Sequence, residues 1–124
     1  MKLEINDNRK IFAIQEEFHK EFPYLKLEFY SKPHSKGGAH SQESIVESSK
    51  LIGDCRTIHE TGEMTITPQL SVGELEQRFR DVYGLSVEVF RKSGKVWLET
   101  IDTDNWSLQK QNDEGQELNK THIL

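Results

Sequence analysis

Within residues 64–98 the spacing of apolar side chains changes from a period of two to the helical period and back again. Each change is marked by a residue that starts or stops an element. Ser71-Val72-Gly73-Glu74 is a capping box, in which the hydroxyl and the carboxylate satisfy orphan backbone donors at a helix start. Val72, Leu75, Phe79 and Tyr83 follow at three, seven and eleven residues from the first and line one helical face. Gly84 stops that helix. Leu85, Val87 and Val89 alternate with Ser86, Glu88 and Phe90, a strand with one apolar face, and Ser93-Gly94 turns the chain back into Val96 and Leu98. The stretch is a strand, a capped helix and a hairpin, and it carries no catalytic motif.

The first third of the chain repeats this plan. Leu3 and Ile5 alternate, Asp7 or Asn8 is placed to cap a helix, and Ile11, Ile14, Phe18 and Phe22 share the three, seven and eleven spacing. Pro23 ends the helix, and 25–32, Leu-Lys-Leu-Glu-Phe-Tyr-Ser-Lys, matches 85–92, Leu-Ser-Val-Glu-Val-Phe-Arg-Lys, at an offset of sixty. An internal duplication follows from this match. Alternation over 54–60 and a turn at Thr61-Gly62 predict one more strand for the first half, so that each half reads strand, helix, strand, strand.

The expected architecture is α+β: one domain over 1–112, built from these duplicated units as a mixed sheet with two helices on one face. A long, mobile connection over 33–53, a short C-terminal helix over 104–112 ended by Gly115, and a frayed polar tail over 113–124 complete it. At 124 residues the chain suffices for a single core, and 30% charged residues mean that much of it is solvated. A net charge of −5 weighs against a general nucleic-acid or anionic-membrane binder. One cysteine excludes an internal disulfide, and no apolar run has the length of a signal-peptide core or a membrane span. The expected location is the cytoplasm.

The strings Val87-Glu88-Val89-Phe90-Arg91-Lys92-Ser93-Gly94, Val96-Trp97-Leu98 and Trp106-Ser107-Leu108, with Gln111-Asn112 and Gly115, resemble those of a group of small uncharacterised bacterial proteins. The likeness covers the C-terminal half and implies no activity, cofactor or catalytic residue. In topology alone, the repeated strand-helix-strand-strand plan resembles duplicated ligand-binding modules of the bacterial multidrug-sensor type, which implies a small-molecule sensor as one functional class.

If Leu25, Leu27, Phe29, Leu85, Val87, Val89, Val96 and Leu98 face the helices, the other parity displays Lys26, Glu28, Tyr30, Glu88, Phe90, Lys92, Lys95, Trp97 and Glu99. Tyr30, Phe90 and Trp97 are more apolar area than a monomer ordinarily exposes. Four occupants fit: the C-terminal segment with Trp106 and Leu108, a protein interface, single-stranded nucleic acid stacked on the rings with Lys26, Arg91, Lys92 and Lys95 at phosphates, and a small ligand. The expected binding residues are Tyr30, Phe90, Arg91, Lys92, Lys95 and Trp97, serving a protein partner or a homodimer, with nucleic acid as runner-up.

Catalytic and metal constellations are thin. His34, His40, Cys55 and His59 lack the spacing of a zinc finger, and on one extended strand Cys55 and His59 stand about 13 Å apart. Lys36-Gly37-Gly38 lacks the glycines and the following helix of a phosphate loop. The sequence predicts a binding domain without a cofactor or metal, and not an enzyme.

Overall fold

A computed structural model of the chain describes residues 1–31 and 44–123. Its elements are β1 (Lys2–Ile5), α1 (Ile11–Glu21), β2 (Leu25–Tyr30), β3 (Gly62–Thr65), α2 (Val72–Tyr83), β4 (Ser86–Ser93), β5 (Val96–Glu99) and α3 (Leu108–Ile123). The α+β class, the single small domain and the C-terminal helix are all present. The strands divide, however, into two sheets, β1-β3 and β2-β4-β5, and every pairing is antiparallel. The strand expected over 54–60 is absent: Ile52–Cys55 is a 3-10 turn that buries Ile52, and the next strand begins at Gly62.

The local reasons for the elements are visible. Ser71 caps α2, its Oγ accepting from the Glu74 N–H at 3.1 Å and donating to Glu74 Oε1 at 3.0 Å. Gly84 ends it at φ 63, a conformation that costs a side-chain-bearing residue energy, and its N–H reaches the Arg80 carbonyl at 3.1 Å. The start of α1 is different. Neither Asp7 nor Asn8 caps it; Lys10 stands at the N-cap position, and the Ile11 and Phe12 N–H groups donate to the carbonyls of Lys50 and Ser48, both at 3.0 Å. Backbone from a distant segment satisfies the donors that a side chain was expected to take.

The same arrangement recurs at α2, where Val72 and Gly73 donate to the carbonyls of Trp106 and Asp104 at 3.1 and 2.7 Å. Ile52 to Arg9 and Gly53 to Asp7 are matched by Leu108 to Leu70 and Gln109 to Pro68, and the isolated bridge Lys10 with Leu51 is matched by Ser71 with Ser107. Both ladders also pair like positions: Leu3 lies opposite Met64, and Glu28 opposite Glu88. The counterpart of 48–52 is therefore 104–108, rather than the β5 hairpin strand being the counterpart of 54–60. Residues 44–53, read as part of a mobile connection, are built into the fold: Val46 donates to Phe29, Ser31 to Ser44, and Ile52 is fully buried. The remainder of that connection, 33–43, lies outside the described residues.

One core joins the elements. Ile11, Ile14, Phe18 and Phe22 of the first helix stripe meet Val72, Leu75, Phe79 and Tyr83 of the second, together with Leu25, Leu27, Phe29, Val87 and Val89 from the sheet. Leu108 enters the same cluster, and α3 continues through 113–123, where the polar composition predicts a frayed tail. Gly115 does not end the helix; it lets α3 approach β2. A Cβ there would lie 2.8 Å from Tyr24 Cβ and 3.3 Å from Arg91 Cγ. Gly115→Ala should therefore destabilise the protein by about 1–3 kcal/mol through overpacking, although alanine is the better helix former. A raised unfolding midpoint in urea would show that α3 yields at this point. Val96 and Leu98, expected in the core, are 56% and 41% exposed because α3 packs against β4 and leaves β5 beyond it.

Candidate functional site

The face of β2-β4-β5 that points away from the core carries Lys26, Glu28 and Tyr30 beside Glu88, Phe90 and Lys92, then Trp97 and Glu99. The register makes these neighbours: Lys26 pairs with Phe90, Phe90 with Glu99, Glu28 with Glu88, and Lys92 with Trp97. Paired residues share a face in an antiparallel ladder. Trp97 leans across the strands: the Lys26 ammonium lies 5.0 Å from its ring centroid and 5.3 Å from that of Phe90, Lys92 lies over Trp97 at 5.7 Å, and the His19 ring meets it at 6.1 Å. Lys26 also stands 3.5 Å from a Glu28 carboxylate oxygen. An ammonium is thus held between two aromatic faces and a carboxylate, each of which attracts it.

The centre of this face is acidic. Glu28 and Glu88 are directly opposite, an arrangement that repels unless a cation or a donor intervenes. Glu88 is buried, and Tyr30 donates to it. Burial pushes the Tyr30 phenol well above its ordinary range, and the charges of Glu88, Glu28 and Glu99 push it further, so the hydroxyl remains a donor at any physiological pH. A hollow of about 240 Å³ lies among Lys26, Glu28, Tyr30, Phe90, Trp97 and Glu99. A shallower groove of about 370 Å³ continues from Lys26 and Trp97 towards Phe12, Gln15 and His19 on α1.

Of the residues expected to bind, Phe90, Lys92 and Trp97 come together here. Tyr30 is on the same face but only 4% exposed, so it forms the floor rather than a platform. Lys95 is exposed in the hairpin turn. Arg91 is a correction: it has the parity of Val89 and lies on the other side of the sheet, donating to Gln111 Oε1 at 2.9 Å with its guanidinium 5.7 Å from the Trp106 ring. That contact also excludes the C-terminal segment as the cover of the open face, since Trp106 and Leu108 sit on the core side. His19 was missed. Its Nδ1 donates to the Leu25 carbonyl at 2.8 Å, which turns the ring towards Trp97, and no sequence pattern marks that contact.

The other chemistry-bearing residues are placed differently. Cys55 Sγ donates to the Leu51 carbonyl at 3.3 Å, and burial and Asp54 raise its thiol, which disfavours the nucleophilic thiolate. His59 Nδ1 meets Asp7 Oδ2 at 2.7 Å, while the buried Arg56 donates to Asp7 Oδ1 and to the Tyr83 carbonyl. Burial acts to raise the Asp7 carboxyl, but the hydrogen bonds and charges of Arg56 and His59 outweigh it and hold the carboxyl below its usual value. Among the described residues no group of histidine, cysteine and carboxylate side chains is arranged to hold a metal ion, and no helix is long and apolar enough to cross a membrane. His34 and His40 lie outside the described residues. In comparison with known proteins, the chain matches no family model, no curated protein and no solved structure.

Proposed function

We propose that this domain is a non-catalytic binding module whose open sheet face receives a lysine- or arginine-bearing segment of a protein partner. The observation that carries this reading is Lys26, whose ammonium lies between the rings of Phe90 and Trp97 and against Glu28. The face holds a cation of its own chain, and a partner's cation that displaces the Lys26 ammonium gains the same rings together with Glu28 and the exposed Glu99. The groove towards Phe12 and His19 gives room for the apolar stem of such a side chain and for its neighbours. The matched hydrogen bonds and ladder centres support an origin by duplication of one strand-helix-strand unit, with the acidic pair Glu28 and Glu88 at the centre of the β2-β4 ladder. In this reading the domain works in the cytoplasm, where a lone cysteine stays reduced.

Single-stranded nucleic acid has less support on the same face. Tyr30 is too buried to stack with a base, Arg91 points away, and the glutamates stand where phosphates would pass. Titration of a Trp106→Phe variant, which leaves Trp97 as the sole tryptophan, separates the two readings. A lysine-rich peptide should change the Trp97 emission and a mixed oligonucleotide should not; the reverse result would make the face a nucleic-acid platform. Trp97→Ala should abolish peptide binding while costing about 1–2 kcal/mol of stability. A much larger loss in urea unfolding would place Trp97 in the core and not in a binding face.

A further inference from the structure

The two outer edges of the three-stranded sheet are treated differently. Along β2 the outward carbonyls are taken: Gln15 Nε2 donates to Leu27 and His19 Nδ1 to Leu25, both at 2.8 Å, and Val46 N–H donates to Phe29 at 2.8 Å. Along β5, among the described residues, no main-chain group of Val96, Trp97 or Leu98 is bonded outside the β4 ladder. Val96 and Leu98 are also the apolar side chains of this edge, at 56% and 41% exposure. An open apolar edge is a template for another strand, and proteins ordinarily blunt such edges with a charge, a proline or a bulge. Within β5 only the last residue, Glu99, is charged, and Lys95 precedes the strand in the turn; Val96–Leu98 between them holds neither charge nor proline.

The geometry points to a second copy of this chain as the occupant: β5 pairs antiparallel with β5 of the partner about a two-fold axis perpendicular to the sheet, joining two three-stranded sheets into one. The sequence selects the register. Such an axis leaves each side chain on its own face, so only residues of the same parity are directly opposed. Centred on Trp97, the pairing places Val96 opposite the partner's Leu98 and brings Lys95, the last residue of the hairpin turn, beside the partner's Glu99, each twice by symmetry. Centred one residue earlier, it opposes Lys95 to the partner's Trp97; one residue later, it opposes Val96 to the partner's Thr100. Only the Trp97 register joins apolar to apolar and cation to anion, and cross-strand pairs of both kinds are favourable. Gly94, at φ 62 in the two-residue turn, fixes the hairpin that presents this strand. The register sets Trp97 opposite the partner's Trp97 and draws on Glu99, both of which also line the hollow described above, so the pairing is tested in the absence of any peptide.

Sedimentation equilibrium without any peptide tests it, on the wild type, Lys95→Glu, Glu99→Lys and the double swap, with amide spectra as the control for folding. The wild type should show a monomer-dimer equilibrium. Each single swap should weaken it by about tenfold or more, since like charges then meet twice, and the double swap should restore it. Val96→Lys, which blunts the edge without touching the charges, should give monomer. A wild type that remains monomeric at millimolar concentration overturns the pairing. So does a dimer indifferent to Val96→Lys, and a double swap no better than the singles overturns the register.

Discussion

Phe79→Ala should destabilise the domain by about 3–5 kcal/mol, a large share of what a domain of this size has in reserve. Phe79 is fully buried at the centre of the α2 stripe and meets Phe29 of β2 edge to face, with ring centroids 6.0 Å apart. Truncation removes the transfer free energy of a large ring and leaves a cavity bounded by elements from both halves of the chain, so neither can move in to fill it. Phe12→Ala is the control, since Phe12 is 43% exposed on the outer side of α1; it should change stability by no more than about 0.5–1 kcal/mol. Urea unfolding of both variants decides the matter. Similar, small losses would mean that the two helical stripes do not meet in one core.

The second large effect is a dependence on pH. Glu76 on α2 accepts the Val89 N–H at 3.2 Å, beside Thr100 Oγ1, which donates to the Val89 carbonyl at 2.8 Å. These two side chains replace a neighbouring strand where β5 has ended. Burial pushes the Glu76 carboxyl from 4.5 up to about 7, with Glu88 and Asp104 adding to it and the Val89 N–H and Arg80 opposing it. An acid whose folded value is raised holds its proton more tightly when folded. Its contribution is complete below pH 4.5 and is lost as the pH rises through about 7. Stability should therefore fall by about 1–3 kcal/mol between pH 5 and pH 8. Glu76→Gln retains an acceptor for Val89 and carries no charge, so it should flatten that dependence. Asp7, whose value is lowered from 3.8, acts only at more acid pH and leaves this window undisturbed. If wild type and Glu76→Gln share one pH profile, the carboxyl is solvated and the strand end is held by Thr100 alone.

What could be read in the sequence follows the range of the forces involved. The stripes of α1 and α2, the alternation of β2 and β4, the Ser71 cap and the Gly84 stop all rest on contacts within a few residues, and each stands where the spacing placed it. The face parity of Lys26, Glu28, Phe90, Lys92 and Trp97 follows from the same alternation. Failures came where a distant segment supplied the partner. Asp7 reads as a helix cap until Arg56 claims its carboxylate and Lys50 and Ser48 supply the acceptors at α1. The alternation over 54–60 reads as a strand, yet Ile52–Cys55 takes the position held in the other half by the start of α3. Arg91 belongs to a basic run in the sequence and to the opposite side of the sheet in space. The closure of the β2 edge by Gln15 and His19, and the lean of Trp97 across three strands, are tertiary geometry that no local pattern encodes.

The most direct test of the cationic binding face is an amide NMR titration with a lysine-rich peptide, repeated with Glu28→Gln and with a single-stranded oligonucleotide in place of the peptide. Shifts should concentrate at residues 26–30, 86–92 and 95–99 and at His19, weaken when Glu28 loses its charge, and be absent with the oligonucleotide. Shifts with the oligonucleotide that vanish at high salt, together with none from the peptide, would contradict the account and give the face to nucleic acid.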